Sequence, residues 1–180
     1  MKSLDMGCGK NKRPGSIGLD MNRALPGVDV EYEVRRGRGL PFATNSFDEI
    51  YIIDLVEHVD DIAWLLSEVH RVAVPEARVE IQYPHYSSRN AYGDVTHRHL
   101  LGLHAFDHFI PATKLGERYQ YFTLFNRVFP FGLEKREVIF KIDVVSRPLY
   151  AAFGEDVYES MFCRSLPIST IDLKLKVLKE

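Results

Sequence analysis

Gly7, Cys8 and Gly9 form the first cluster of residues whose types and spacing suggest chemistry. They directly follow a short apolar run, which is typical of a strand and contains the acidic residue Asp5. Glycines after a parallel strand let the main chain approach a ligand that a Cβ atom would exclude. Exposed N–H groups in such a turn favour anionic or polar ligand groups. The cluster therefore predicts a ligand-binding turn, although glycines needed only for a tight turn would give the same pattern.

A second acidic residue, Asp20, ends the next apolar run and can accept hydrogen bonds from both hydroxyls of a ribose. Only residues 7–16 separate the two runs, and Pro14 and Gly15 lie among them. A parallel crossover normally needs about a dozen residues or more, and the acid of a dinucleotide site stands about 20 residues after its glycines. The spacing therefore predicts a turn without a pyrophosphate-binding helix and disfavours a nicotinamide dinucleotide.

Histidines are concentrated between residues 85 and 108, where five of the seven lie. A histidine can act as a base, a metal ligand or a hydrogen-bond donor near neutral pH. One interpretation is structural, with polar side chains holding a loop-rich segment together. Another is a substrate site in which His85, Asp94 and His97 are the candidate catalytic residues. A third is a metal site formed by His97, His99 and either Asp94 or His85, but the spacing fixes no geometry and we assign no metal.

The elements that must position these residues follow an α/β order. Apolar residues spaced three and four apart from Leu55 to Val72 predict an amphipathic helix, with Asp60 or Asp61 at its start and Pro75 closing it. A strand, a helix and a strand in succession predict parallel pairing in an open, Rossmann-like sheet, and the two late strands predict an antiparallel C-terminal edge. The predicted strands are residues 3–6, 16–21, 28–34, 47–53, 78–83, 134–145 and 171–178, and a second helix is predicted over residues 150–163.

The segment from residue 85 to residue 130 leaves the fifth strand at the edge where open α/β sheets bind ligands. We therefore expect residues 85–130 to form a substrate-side insert in a single domain that covers residues 1–180. The two histidines outside this segment, His58 and His70, fall at the start of the predicted helix and on it, where structural or solvated roles are expected.

Composition excludes several classes of protein. A length of 180 residues with 46% hydrophobic content fits one packed domain. A net charge of -2 gives no global basic field for nucleic acid, and no apolar run approaches the roughly 18 residues that a membrane helix needs. Two cysteines are too few for a disulfide framework, which favours the cytoplasm. The oligomeric state stays open.

Three segments together resemble the class I S-adenosylmethionine-dependent methyltransferases, in particular a compact type 11-like subgroup. They are LDMGCGKNKRPGSIGLDMN, LPFATNSFDEIYIIDLVEHVDD and SEVHRVAVPEARVEIQYPHY. The resemblance implies that the cofactor is S-adenosylmethionine. The residues that it implies around this cofactor are Asp5, Gly7, Cys8 and Gly9 at the methionine moiety, Asp20 and Met21 at the ribose and adenine, and Asp54 and Leu55 facing the sulfonium.

The activity that the resemblance implies is methyl transfer to an acceptor, which the sequence does not identify. A small molecule, a glycan or a protein side chain would suit the insert about equally. Methyl transfer from a sulfonium is an in-line displacement, so catalysis rests mainly on orienting the reactants. An alternative function is a binding module that keeps the fold without turnover, because Arg35, Arg36 and Arg38 stand where this family often has an acidic residue.

Overall fold

One sheet organises the computed structural model, which describes residues 1–118 and 128–179. Its strands are β1 (Ser3–Met6), β2 (Ile17–Asp20), β3 (Val30–Glu31), β4 (Phe47–Ile53), β5 (Ala73–Pro84), β6 (Phe131–Phe140) and β7 (Ile168–Val177). They lie in the order β3-β2-β1-β4-β5-β7-β6. The strands from β1 to β5 pair in parallel, and β7 runs antiparallel to both β5 and β6. The predicted single-domain, Rossmann-like α/β sheet, mostly parallel with an antiparallel C-terminal edge, is confirmed.

The crossover from β1 to β2 contains no helix, as its spacing predicts. Residues 7–16 form turns. The turn closes on the neighbouring strand because the N–H groups of Gly7 and Cys8 both donate to the carbonyl oxygen of Leu19, at 2.8 and 3.3 Å. The glycine turn is thereby fixed at the carboxyl end of β1.

Three predicted strands are longer than the observed ones. β2 covers Ile17–Asp20 rather than residues 16–21. β3 covers only Val30–Glu31 rather than residues 28–34, because its partner β2 ends at Asp20, which pairs with Glu31. β6 ends at Phe140 rather than at residue 145, because Phe140 pairs with Ile168, the first residue of β7. Past these pairs one further main-chain bond follows each strand, from the Tyr32 N–H to the Asp20 oxygen at 2.9 Å and from the Lys141 N–H to the Pro167 oxygen at 3.3 Å, and the regular pairing ends there.

The helices are α1 (Ile62–Val72), α2 (Arg89–Gly93), α3 (Lys114–Arg118), α4 (Asp143–Phe153) and α5 (Glu155–Val157), with a 3-10 turn at Asp107–Phe109 and a π turn at Tyr158–Phe162. Asp61 caps α1, since its carboxylate accepts the Trp64 N–H at 2.8 Å. The predicted end at Pro75 is wrong, because the chain already enters β5 at Ala73. Pro75 lies where the register between β4 and β5 shifts. The sheet therefore loses no strand-to-strand hydrogen bond through the missing N–H of this proline.

The predicted helix over residues 150–163 is interrupted at Gly154. This glycine has a φ of 80°, a left-handed value that an α-helix cannot continue through. Helix α4 therefore ends at Phe153, and the chain resumes as α5 and the π turn. Among the described residues, no helix has both the length and the apolar character that crossing a membrane requires.

The apolar core lies against one face of the central strands. Along β4, Ile50 and Ile52 are fully buried, whereas Tyr51 between them faces the other side. β5 and β7 alternate in the same way, with charged side chains opposite the core. On that polar face the Arg13 guanidinium lies 4.1 Å from the centre of the Tyr51 ring and pairs with Glu80. This alternation gives the parallel part of the sheet one apolar face and one polar face.

Candidate active site

A cavity of about 780 Å³ opens at the carboxyl ends of β1, β2 and β4. Its volume lies within the range of about 300–1,000 Å³ that is usual for small-molecule sites. The edge is the one at which open α/β sheets bind ligands. Its walls come from the turn after β1, the ends of β2 and β3, the loop after β4 and, from the segment that follows β5, Thr96 and Arg98.

Gly7 forms the part of the wall nearest to the β4 loop. Its φ of 67° is left-handed, and a Cβ atom built on it would lie 3.1 Å from Cδ1 of Leu55, which lines the same cavity. A side chain at this position would therefore be strained and crowded at the same time. This geometry is compatible with the expectation from the sequence that the main chain at this glycine approaches a ligand closely.

The Asp20 carboxylate is held rigidly at the cavity wall. Its Oδ2 accepts the Gly9 N–H at 3.0 Å and its Oδ1 accepts the Asn22 N–H at 2.9 Å. Each carboxylate oxygen has a second lone pair, so the group can still accept two hydrogen bonds from a ligand. The arrangement suits a diol such as the two hydroxyls of a ribose.

Five of the eight predicted cofactor residues line the cavity, namely Gly7, Asp20, Met21, Asp54 and Leu55. The other three lie behind it. Asp5 is buried and accepts the Arg13 N–H at 2.7 Å, and its burial raises its pKa. Cys8 is buried as well. Gly9 acts through its bond to the Asp20 carboxylate, so these three residues shape the turn without forming the wall.

Asp54 ends β4 in an unusual main-chain conformation. Its φ is 49°, and its N–H donates to the carbonyl oxygen of Gln82 on β5 at 3.0 Å. Aspartate visits the left-handed region more readily than most residues, because its short polar side chain can hydrogen-bond locally. Such conformations persist only where the surroundings enforce them, and they cluster at functional sites.

His85, the first predicted catalytic residue, is not at the cavity. It has no exposed surface, and its Nδ1 lies 2.8 Å from Oγ of Ser87. Its Nε2 lies 2.9 Å from Oε1 of Glu159, which also accepts the Leu103 N–H. His85 therefore connects the end of β5 to the C-terminal part of the chain, because both ring nitrogens are used by protein groups.

Asp94 and His97 lie close to the cavity without lining it. Oδ1 of Asp94 accepts both the N–H and the hydroxyl of Thr96, at 2.8 and 2.6 Å, and these bonds lower the pKa of Asp94. Thr96 lines the cavity, and its hydroxyl lies 2.9 Å from Nδ1 of His58. The His97 ring meets the His58 ring edge-on at 4.6 Å. The structure thus brings two of the three predicted catalytic residues together around His58, for which a structural or solvated role is expected from the sequence.

Sequence reasoning missed Glu57, which is 1% exposed. Burial raises its pKa to about 7. Its main-chain oxygen accepts the Arg98 N–H at 2.7 Å, and its Oε1 lies 4.0 Å from Nε2 of His97. The available signal was an acid–histidine pair, Glu57-His58, shortly after the fourth strand.

The metal site considered from the sequence, with His97, His99 and either Asp94 or His85 as ligands, is not the group of ligating side chains that lie close together in the structure. Nε2 of His99 lies 2.9 Å from the carbonyl oxygen of Val59. Across residues 1–118 and 128–179, the one group of three side chains with ligating atoms close enough to share an ion is Glu57, His58 and His97. His97 is therefore grouped with residues of the β4 loop instead of its sequence neighbours.

Other lining residues were also missed, because no periodic pattern marks them. Glu33, Val34 and Arg35 follow the very short β3, and Asp60 precedes the cap of α1. Arg35 is one of the arginines that stand where the resembling family often has an acidic residue, and its place in the cavity wall was not predicted. The cavity therefore carries carboxylates at both of its sides, from Glu33 and from Asp60.

Comparison with known proteins agrees with this geometry. The family model of the methyltransferase domain matches residues 4–81. An O-methyltransferase of Pyrenophora dematioidea is 30% identical over 99 residues, and the matched region covers 43% of this chain and 37% of that protein. The match thus spans well under half of the length of this curated relative.

Solved structures resemble the chain over nearly its whole length. A SAM dependent methyltransferase from Archaeoglobus fulgidus has a TM-score of 0.56 at 19% identity, covering 97% of this chain and 85% of that one. An S-adenosylmethionine dependent methyltransferase from Mesorhizobium loti has a TM-score of 0.56 at 14% identity, covering 97% and 90%. At these identities the likeness shows the fold. Together with the match of residues 4–81 to the methyltransferase domain model, it makes this chain similar in fold to S-adenosylmethionine-dependent methyltransferases.

Proposed function

We propose that this protein transfers a methyl group from S-adenosylmethionine to an acceptor by in-line displacement. The observation that carries the proposal is the Asp20 carboxylate, which is held by two main-chain N–H groups beside Gly7 at the wall of a cavity of about 780 Å³. A fixed diol acceptor next to a close main-chain approach is the arrangement that a nucleoside attached to an amino acid requires.

The residues present fit this cofactor. Asp20 would accept hydrogen bonds from the ribose hydroxyls, and Met21 beside it would flank the adenine. Gly7 would leave room for the methionine moiety, while Asp54 and Leu55 would face the sulfonium, where a carboxylate favours positive charge. When bound, S-adenosylmethionine supplies an activated methyl group, so the protein has mainly to orient the acceptor, which is worth up to about 7–11 kcal/mol.

The acceptor would enter beside the segment that follows β5. Thr96 and Arg98 line the cavity, so this part of residues 85–130 supports the interpretation of that region as a substrate-side insert. A hydroxyl, a carboxylate or an amide of the acceptor would find a hydrogen-bond partner in one of these two side chains. A small molecule, a glycan and a protein side chain all offer such groups, and nucleic acid is disfavoured by the net charge of -2.

Calorimetry with S-adenosylhomocysteine tests cofactor binding. We expect the wild type to bind and Asp20→Asn to bind about 10–100-fold more weakly, because bonds to a charged group are worth about 1.5–3 kcal/mol. Asp143→Asn, a change at an exposed carboxylate of α4, should leave the affinity unchanged. The proposal fails if folded wild-type protein shows no binding, or if Asp20→Asn binds as well as the wild type.

Radiolabelled S-adenosylmethionine tests turnover separately. Incubation with cell extract, fractionated into protein, glycan and small molecules, should place label in one fraction and should not do so with Asp20→Asn. Cofactor binding without transfer to any fraction would support the alternative of a binding module. We also propose a cytoplasmic location, supported by the free, buried thiols of Cys8 and Cys163.

A further inference from the structure

Three side chains beside the cofactor cavity bring potential metal ligands together. Glu57 and His58 come from the loop after β4, and His97 comes from the segment after β5. Each offers one ligating atom, and these atoms all lie within 4.8 Å of one another. Because His58 also lines the cavity, the cluster belongs to its wall.

The tautomer of His97 is determined by its hydrogen bond. Nδ1 of His97 lies 3.1 Å from the carbonyl oxygen of Ala91. A carbonyl oxygen only accepts, so Nδ1 carries the proton and Nε2 of the neutral ring carries the lone pair. This Nε2 lies 4.0 Å from Oε1 of Glu57, which is also an acceptor when ionised. Two acceptors that face each other at this distance can be bridged by a cation.

The tautomer of His58 follows from a longer chain of bonds. The hydroxyl of Thr96 donates its one proton to Oδ1 of Asp94 at 2.6 Å. It must then accept from Nδ1 of His58, which lies 2.9 Å away, and this leaves the lone pair of His58 on Nε2. Metal-binding histidines characteristically donate their other ring N–H to an oxygen in this way, and the bond raises their basicity.

Glu57 supplies an independent observation that points to a ligand. Its side chain is buried, and its Oε2 has no hydrogen-bond partner among the described residues. Buried polar oxygens are nearly always paired, and buried carboxylates are paired with a charge or coordinate a metal. The free oxygen and the two histidine lone pairs are therefore explained together by one cation.

We propose that Glu57, His58 and His97 bind a divalent transition-metal ion at the wall of the cofactor cavity. Two imidazoles and one carboxylate match Zn²⁺, whose open sites use this set, and disfavour Mg²⁺ and Ca²⁺, which prefer oxygen ligands alone. Around Zn²⁺ the ligating atoms stand about 3.4 Å apart, as follows from metal–ligand distances of about 2.0–2.1 Å in a tetrahedron. Closure from 4.8 Å to this separation needs only small side-chain movements.

Metal titration of the whole chain tests the site. Protein stripped with a chelator is titrated with ZnCl₂ against a chromophoric chelator, and its metal content is measured by elemental analysis after dialysis. We expect one Zn²⁺ per chain, with affinity reduced at least tenfold in Glu57→Gln and in His97→Ala. His99→Ala is the matched control, because this neighbouring histidine bonds to the Val59 carbonyl, and it should change the affinity less than twofold.

A third variant guards against misfolding of the first two. Thr96→Val removes the hydroxyl that orients His58 while it leaves all three ligands in place, and it should weaken Zn²⁺ binding about 10–100-fold. Substoichiometric metal in the wild type, or equal affinity of the wild type and His97→Ala, overturns the proposal. S-adenosylhomocysteine binding measured on the stripped protein reports on the cofactor site alone, so the two proposals can fail separately.

Discussion

Gly7 shows at the scale of a single residue how the cavity obtains its shape. Its left-handed φ of 67° turns the chain out of β1, and the absence of a Cβ atom leaves room for Leu55 on the neighbouring loop. Sequence reasoning could place this glycine because it directly follows a short apolar run. The contact with Leu55, 48 positions later, could not be predicted from that pattern.

Gly7→Ala should therefore damage the cavity more than an equivalent change elsewhere. We expect a loss of about 1–3 kcal/mol in the free energy of unfolding, measured with urea, because strain and overpacking add. The affinity for S-adenosylhomocysteine should fall more than tenfold. Gly154→Ala is the matched control, since its φ is 80° and nothing lies within 4 Å of the added Cβ. It should cost about 1–3 kcal/mol, because its ψ of 170° places it in a region essentially reserved for glycine, and it should leave binding unchanged. Equal binding losses in the two variants would contradict this account.

Helix α1 shows what can be predicted at the scale of an element. The spacing of Leu65, Leu66, Val69 and Val72 identifies the buried face, and the structure buries all four. The sequence places Asp60 and Asp61 at its start, and the structure makes Asp61 the cap. The end of the helix was not predictable from Pro75, because the pairing of Ala73 with Phe47 on β4 draws the chain into β5 two residues earlier.

The polar face of α1 anchors a loop that no sequence pattern revealed. Glu68 accepts the Leu40 N–H at 2.6 Å and bonds to the guanidinium of Arg71. Arg71 donates in turn to the carbonyl oxygens of Phe42 and Leu40, at 2.8 and 3.0 Å. The loop before β4 is thereby attached to the helix by groups that lie about 30 positions apart.

The Glu68–Arg71 pair predicts a dependence of stability on pH. The hydrogen bond from Arg71 lowers the pKa of Glu68 below its usual value of about 4.5. An acid with a lowered pKa contributes stability above its unfolded pKa and loses it as the pH falls through its folded pKa. Glu68→Gln should therefore cost about 1–3 kcal/mol at pH 7, and the difference from wild type should shrink below pH 4.5. A difference that stays constant from pH 7 to pH 3.5 in urea unfolding would refute this assignment.

At the scale of the whole molecule, a buried ion pair connects the segment after β5 to the C-terminal sheet. Arg136 on β6 pairs with Asp107, and both side chains are less than one-tenth exposed. His104 lies 2.8 Å from the same Asp107, and this bond raises the pKa of His104. The pair therefore fixes the part of the chain that follows the cavity wall.

Removal of one partner should be far more costly than removal of both. Arg136→Met removes the guanidinium and leaves His104 as the remaining side-chain partner of the buried Asp107 carboxylate, so we expect a loss of about 3–5 kcal/mol. Addition of Asp107→Asn in the Arg136→Met background should recover part of that loss, because the buried charge that has lost its guanidinium partner disappears. A double-mutant cycle by urea unfolding measures the coupling, and losses that simply add would show that the two side chains do not interact.

The sequence by itself determined the α/β order, the helix-free first crossover, the start of α1 and the position of Asp20. Each of these depends on residues that are close together along the chain, where periodicity and turn chemistry act directly. Only the tertiary structure decided that His85 is buried away from the cavity, and that Glu57 and His58 meet His97. That meeting depends on main-chain bonds such as the one from Arg98 N–H to Glu57 O, which join segments about 40 positions apart. Such contacts form because the sheet brings the ends of its strands together. A pattern of neighbouring residues along the sequence does not predict which side chains will then be in contact.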